Sequence, residues 1–219
     1  MREFLIKTFK ESDYQYAQAL LKNGELFFQH VNNYREMEED IQRSDFDEGT
    51  AVDSFSAHIT PNVDFFYIKD PDGKKFYLDW AAAKKAYPFL QKSHIHLQLS
   101  YVVDWLIYSM TYINSSTFDR QKIFETIAKL GKYSVVILDC NSFIKSVEQK
   151  VKIVKRGLIS YVEDKIIDPF TKRKAAYFGQ NEYRFAISAN GATTKTIQVG
   201  PVSGFICESK NIPDIERYL

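Results

Sequence analysis

Residues 172–187 read KRKAAYFGQNEYRFAI, a basic cluster that leads into alternating polar and apolar side chains. Because side chains alternate along a β-strand, a strand here points Gln180, Glu182 and Arg184 to one face. Its other face carries three apolar side chains, those of Tyr183, Phe185 and Ile187. The stretch therefore predicts a strand with one dry face and one face equipped for binding or chemistry.

The composition is that of an ordinary globular chain. Of its 219 residues, 45% are hydrophobic and 26% are charged, and 29 basic against 28 acidic side chains leave a formal charge of +1. So small a charge excludes attraction of the whole protein to nucleic acid or to a membrane surface. No segment approaches the roughly 18 apolar residues that a membrane span needs. We expect a cytoplasmic protein with no membrane partner, in which Cys140 and Cys207 stay reduced.

The order of the predicted elements indicates an α+β fold. We expect a single domain over residues 1–219, with a mixed, mostly antiparallel sheet, about four helices and a loose tail after residue 199. The predicted strands cover residues 4–9, 25–31, 63–69, 74–80, two strands or one bent strand within 94–113, 133–138, 157–162, the Glu182 strand and 195–199. The predicted helices run from Ser12 or Asp13 to Lys22, from 117 to 130, and from an Asn141 cap to 152, with a short one near 34.

Glu182 is the candidate catalytic residue. A carboxylate on a sheet strand can polarise a ribose hydroxyl and stabilise an oxocarbenium-like transition state at a glycosidic carbon. Gln180, on the same predicted face, would orient the nucleophile or the substrate. The alternative interpretation is structural, a ladder of Glu182 and Arg184 on an exposed sheet face.

The basic cluster before this strand is a candidate phosphate contact. Lys172 and Arg173 can meet the phosphates of a nucleotide or of nucleic acid, or they can form the solvated start of a helix. The sequence contains no glycine-rich phosphate loop, no nucleophile elbow and no Cys–His motif.

An acidic stretch surrounds two arginines near the second predicted strand. Residues 34–49 carry seven carboxylates around Arg35 and Arg43, directly after His30. Such a stretch is a solvated surface with ion pairs, a site for a hard cation, or a frame that holds the arginines for a phosphate. His94 and His96 share one strand face, which suits either zinc or an exposed surface, and we predict no metal site.

Two sets of short segments resemble a prokaryotic family whose members often lie among mobile-element and phage-defence genes. The first set covers residues 24–28, 34–38 and 43–49, and the second covers 170–173, Tyr177 and 182–184. The resemblance implies an effector of antiviral defence, with a partner protein encoded in the same operon and a nucleic-acid or protein target.

Gln180-Asn181-Glu182 also resembles the Gln-x-Glu motif of ADP-ribosyltransferases, which lies on a late catalytic strand. This resemblance implies NAD as a substrate, with Glu182 as the catalytic carboxylate and Gln180 as its helper. The residues expected to bind NAD are His30, Arg35, Arg43 and Arg184.

Three functions follow as hypotheses. The first is an NAD-consuming toxin, either an ADP-ribosyltransferase or an NAD glycohydrolase. The second is a non-catalytic ligand-binding or protein-interaction module of a defence system. The third is a metal-dependent nuclease that uses Lys172, Arg173 and the carboxylates of residues 45–48.

Overall fold

The structure is a computed structural model that describes residues 3–35, 50–59, 65–69, 75–79, 93–117, 119–162, 169–173 and 178–216. Its contacts divide the chain into two compact units. The first unit combines residues 1–51 with residues 101–219, and the second unit is residues 52–100. The single domain over residues 1–219 therefore stays a prediction.

The described residues form fourteen strands and five α-helices. The strands are β1 Glu3–Phe9, β2 Glu25–His30, β3 Thr50–Ile59, β4 Phe65–Lys69, β5 Lys75–Asp79, β6 Ser93–Val102, β7 Trp105–Asn114, β8 Tyr133–Ile137, β9 Ile153–Leu158, β10 Ser160–Val162, β11 Thr171–Arg173, β12 Glu182–Ser188, β13 Thr194–Gln198 and β14 Gly204–Glu208. The α-helices are α1 Tyr14–Asn23, α2 Val31–Arg35, α3 Arg120–Leu130, α4 Cys140–Lys150 and α5 Ile212–Glu216.

An eight-stranded sheet organises the first unit. Its order is β13-β2-β7-β1-β8-β14, and β12 pairs with β7 and with β9. Neighbouring strands in it run antiparallel, while β10 and β11 form a separate parallel pair. The second unit contains the antiparallel pair β4–β5, and β3 pairs with β6. The predicted α+β class with a mostly antiparallel sheet is confirmed.

Helices cover both faces of the eight-stranded sheet because each has an apolar stripe at i, i+3 or i+4 spacing. On one face, α1 and α4 bury Ala17, Leu20, Phe143 and Val147 in the largest core cluster. On the other face, α3 packs through its Ile123, Phe124 and Ile127, and α5 adds Ile212. We call these the α1 face and the α3 face.

The sheet opens beside the middle of β7. Pairing of β1 with β7 reaches Ile6 opposite Thr111, and pairing of β2 with β7 begins at Gln29 opposite Ile107. Between these two points the ends of β1 and β2 diverge from β7. We call this opening the fork, and define it by Lys7–Phe9, Glu25–Phe28 and Tyr108–Met110.

Two predicted elements differ from the structure near the chain's end. Gln180 is not on the Glu182 strand, because Phe178–Gln180 form a 3₁₀ turn and Asn181 has a φ of 40°. Residues 200–216 do not form a loose tail: β14 pairs with β8, and α5 packs in the α3-face core. Pairing of β14 with the buried strand β8 gives this segment the backbone hydrogen bonds that order it.

Helix caps differ in detail from the prediction. Asp139, not Asn141, caps α4, since its Oδ1 accepts a hydrogen bond of 3.0 Å from the Ser142 N–H. The α1 helix ends at Asn23 and is capped by Gly24, whose φ of 61° lets its N–H reach the carbonyls of Ala19 and Leu20. No helix in the described part of the chain combines the length and the apolar character that crossing a membrane would require.

Candidate ligand-binding site

Glu182, the first residue of β12, forms the centre of a buried charge cluster on the α3 face. Its Oε1 accepts hydrogen bonds from Nε and Nη2 of Arg184, both at 2.8 Å. Its Oε2 lies 2.9 Å from Nζ of Lys172. Arg184 is 1% exposed, and Lys172 and Glu182 are each 6% exposed. The alternative of a Glu–Arg ladder on an exposed face is therefore wrong, because the pair is buried and lies within one strand.

Neighbouring groups fix the cluster in place. The Glu182 N–H donates to the Tyr161 hydroxyl oxygen over 2.9 Å, and Nη1 of Arg184 donates to the Pro169 carbonyl over 2.8 Å. The Ser109 side chain also hydrogen-bonds the Glu182 carboxylate. These contacts come from three separate segments, so the cluster is held by the fold and not by its own strand alone.

Two opposing effects act on the pKa of Glu182. Burial is the largest and raises the pKa, because it disfavours the charged form. The attraction of Arg184 and Lys172, with the hydrogen bonds to the carboxylate, outweighs burial and holds the pKa well below its usual range. Glu182 is therefore an anion throughout the physiological pH range.

Of the basic segment, the structure places Lys172 in this cluster. Lys172 lies in β11 and is buried, so the interpretation as a solvated helix start is wrong. Its Nζ also donates to Gln180 Oε1 over 3.3 Å. Gln180 thus reaches the Glu182 cluster from the preceding turn, although it is not on the strand. The side chain of Arg173 lies outside the described residues.

His30 is not brought to this cluster. Along β2, His30 shares the α1 face with Phe28, whereas its neighbour Gln29 lies on the α3 face. Its Nε2 lies 3.1 Å from Asp104 Oδ1, and its Nδ1 accepts from the Asn32 N–H over 3.2 Å. The structure therefore places Gln29, and not His30, on the face of the sheet that carries Glu182.

The remaining predicted site residues fall outside what the structure describes. Arg35 ends α2, but its side chain is outside the described residues, and so is all of Arg43. The same holds for the carboxylates of residues 45–48 and for the side chains of His94 and His96. Within the described ranges, no group of three or more His, Cys, Asp or Glu side chains is placed to hold a metal ion.

A cavity of about 550 Å³ occupies the fork and reaches the Glu182 cluster. Side chains from both faces of the sheet line it, because the strands separate there. From the α3 face come Phe27, Gln29 and Thr196, together with Lys172, Gln180, Glu182 and Arg184. From the α1 face come Lys7, Phe9, Tyr16 and Tyr108.

Two aromatic side chains of this lining are unusually exposed. Phe27 is 48% exposed and Tyr16 is 53% exposed. Tyr16 lies away from the buried side of α1, which is formed by Ala17 and Leu20. Because side chains alternate along a strand, the sequence of β2 could have predicted that Phe27 shares a face with Glu25 and Gln29. This alternation is the pattern by which its place in the lining could have been found.

Two side chains at the fork, those of Lys7 and Tyr108, could not be predicted as part of a site from the sequence. Nζ of Lys7 donates to the Ser109 carbonyl over 2.8 Å and lies 4.6 Å from the centre of the Tyr108 ring. It thus satisfies a backbone carbonyl at the point where β1 leaves the ladder. Tyr108 is 3% exposed, and in the described part of the chain its hydroxyl is the buried side-chain polar atom that lacks a hydrogen-bond partner.

The fold and the site together define an α+β protein with a cavity at a divided sheet, lined by a buried charge cluster and by exposed aromatic side chains. Comparison of the chain with protein-family models, curated proteins and solved structures found no match. The resemblances to defence-associated proteins and to ADP-ribosyltransferases therefore stay expectations, and the function has to be argued from the side chains of the cavity.

Proposed function

We propose that this protein is a ligand-binding module whose cavity takes a nucleotide-like molecule. The observation that carries the proposal is the cavity of about 550 Å³, whose lining joins the buried Lys172–Glu182–Arg184 cluster to exposed aromatic rings. Small-molecule sites are concave and largely apolar, with a few convergent polar groups that fix orientation. A ligand that fits this lining has a planar ring, a hydroxylated part and an anionic group.

The aromatic side chains support the planar part of such a ligand. Phe27 and Tyr16 each leave about half of their surface uncovered while lining the cavity. Stacking of a base on an aromatic ring contributes about 1–3 kcal/mol and tolerates different bases. A heteroaromatic ring on either side chain would remove apolar surface from water and gain this stacking.

The polar end supports a hydroxylated part. The Glu182 carboxylate stays ionised, and its contacts with Arg184, Lys172 and Ser109 use its roughly four lone-pair sites, so it fixes the side chains at the floor of the cavity. Gln29 and Thr196 add an amide and a hydroxyl to the same lining. Ribose hydroxyls match this combination of acceptors and donors.

The geometry favours binding over catalysis. Each oxygen of Glu182 already contacts a cation, Oε1 with Arg184 and Oε2 with Lys172. A carboxylate neutralised in this way, with a lowered pKa, is a weak base and a weak stabiliser of a nearby oxocarbenium ion.

NAD-consuming glycosyl transfer is the second candidate, and one observation favours it. Gln180 and Glu182, the two residues of the Gln-x-Glu motif, line the same cavity. The predicted roles as a toxin in defence, as a partner of other proteins and as a nuclease stay predictions.

Titration calorimetry with AMP, ADP-ribose and NAD tests the proposal. We expect the wild type to bind at least one of them, and Glu182→Gln to weaken that affinity about tenfold or more, because the ion pairs that hold Lys172 and Arg184 in place at the cavity are lost. The matched control is Glu148→Gln, whose carboxylate pairs with Arg156 at the surface and does not line the cavity. It should bind as the wild type does.

The outcomes separate the two candidates. Binding of NAD with no release of nicotinamide supports a binding module. Release of nicotinamide by the wild type, lost in a folded Glu182→Gln variant, supports the transferase. A wild type that binds none of the three compounds overturns the proposal.

A further inference from the structure

We infer that the fork between β1 and β2 is the subsite for a phosphate group of the ligand, with the Tyr108 hydroxyl as its neutral donor and the Lys7 ammonium as its cation. The inference rests on the proposed function, because it assigns the anionic part of the same ligand to one end of the cavity. It uses two residues that the motifs of the sequence do not single out.

The hydroxyl of Tyr108 is the first argument. Buried polar groups in native proteins nearly all have a hydrogen-bond partner, so each exception calls for an explanation. Tyr108 is 3% exposed, its hydroxyl has no partner among the described residues, and it lines the cavity. A ligand oxygen that accepts from this hydroxyl would supply the missing partner.

The charge beside this hydroxyl is the second argument. Burial, with a smaller contribution from Tyr34, raises the pKa of Tyr108, so the phenol is neutral and can donate. Nζ of Lys7 lies 4.6 Å from the centre of the same ring. A neutral donor next to an ammonium group selects an anionic acceptor, and lysine is a common partner of phosphate as a point charge.

The position of Ser109 is the third argument. Its carbonyl accepts from Lys7, and its side chain hydrogen-bonds the Glu182 carboxylate. One residue therefore joins the ammonium group of Lys7 to the buried cluster around Glu182. A sugar that carries a phosphate can contact both parts of the cavity.

The test compares AMP with adenosine, which differ only in the phosphate. By calorimetry at fixed salt, the wild type should bind AMP more tightly than adenosine. In Tyr108→Phe the affinity for AMP should fall about tenfold, while the affinity for adenosine changes less than twofold. Inorganic phosphate, added as a competitor, should weaken AMP binding in the wild type.

Tyr112→Phe is the matched control. Tyr112 is on the same strand, its hydroxyl accepts from Asn114 Nδ2 over 3.2 Å, and it does not line the cavity. This variant should keep the full preference for AMP. Without ligand, Tyr108→Phe should melt at the temperature of the wild type or above it, because it loses a buried hydroxyl that has no partner.

Each other result counts against the inference. A Tyr108→Phe protein that keeps the preference for AMP overturns the subsite but leaves nucleotide binding intact. A clear fall in its melting temperature without ligand shows that the hydroxyl has a partner in the fold, and overturns the subsite as well. A wild type that binds neither compound, nor ADP-ribose or NAD, overturns the proposed function together with the subsite.

Discussion

Glu182, Arg184 and Lys172 contribute to stability and to the site at the same time. Removing a charge from water costs several kcal/mol, and an ion pair offsets this cost only when its geometry is good and the remaining hydrogen bonds are made. Here the carboxylate contacts two cations and Ser109, while Arg184 also reaches the Pro169 carbonyl. Such a cluster holds its side chains in one arrangement, which pre-organises the floor of the cavity before a ligand arrives.

The lowered pKa of Glu182 makes a prediction about acid stability. In the unfolded chain a glutamate has a pKa of about 4.3, whereas in the folded protein the pKa of Glu182 lies well below that value. As the pH falls below about 4, the unfolded chain takes up this proton first, so the stabilisation is present above the unfolded pKa and is lost in acid.

Urea unfolding of the wild type and of Glu182→Gln, between about pH 6 and pH 3, measures this effect. The other carboxylates titrate in both proteins and cancel in the difference between their free energies of unfolding. That difference should shrink as the pH is lowered. A difference that stays constant would show that the fold does not favour the ionised form of Glu182.

At the scale of elements, the fork depends on the way β1, α1 and β2 follow one another. Both strands run antiparallel to β7, and both pair with its same edge at different heights. Helix α1 has to end sharply so that β2 can begin at Glu25, and Gly24 provides this end with a φ of 61°. The carbonyl of Gly24 then accepts from the Val199 N–H.

Gly24→Ala should therefore be strongly destabilising. A left-handed conformation costs a residue with a Cβ about 1–2 kcal/mol, and this Cβ would overlap the Gly200 carbonyl oxygen and Val199 Cγ2. Overpacking adds about 1–3 kcal/mol, so we expect a loss of about 2–5 kcal/mol in the free energy of unfolding. Chemical denaturation monitored by circular dichroism measures it.

Gly191→Ala is the matched control for this prediction. Its φ is 79°, but an added Cβ meets no atom within 4 Å. In this variant the free energy of unfolding should fall only by the cost of the left-handed conformation, about 1–2 kcal/mol. Equal losses in the two variants would show that the contact with Gly200 and Val199 does not constrain the end of α1.

The sequence predicted the elements better than it predicted the fork. The apolar run of β8 correctly indicates a central strand, and the hairpin of β4 and β5 follows from its turn residues. The dry face of β12 was also correct, since Phe185 is in the α1-face core. Alternation at period two failed at Gln180, because the positive φ of Asn181 breaks the strand before Glu182.

Tyr108 and Lys7 show why the lining of the fork could not be predicted from the sequence. Tyr108 lies in an apolar strand and looks like any core tyrosine, and Lys7 looks like a polar residue on a first strand. Their proximity depends on where β1 leaves β7, which is a matter of register between segments about a hundred residues apart. Local patterns carry no information on such pairing.

At the scale of the molecule, the first unit contains every side chain of the proposed site. The eight-stranded sheet, its core clusters and the lining of the cavity all come from residues 1–51 and 101–219. The second unit begins within β3 and ends within β6, and these two strands pair with each other. The chain thus leaves and re-enters the first unit through neighbouring strands, which is the arrangement of an inserted unit.

Replacing residues 52–100 with a short Gly/Ser loop should therefore leave the first unit folded. We expect cooperative urea unfolding, because the core clusters of the sheet are complete without the insert, and an affinity for AMP within about threefold of the full chain. A loop closed between paired strands costs little entropy, since this cost grows only slowly with length. Loss of cooperative unfolding would instead support one domain over residues 1–219. A folded protein that no longer binds AMP would show that the second unit contributes to the site.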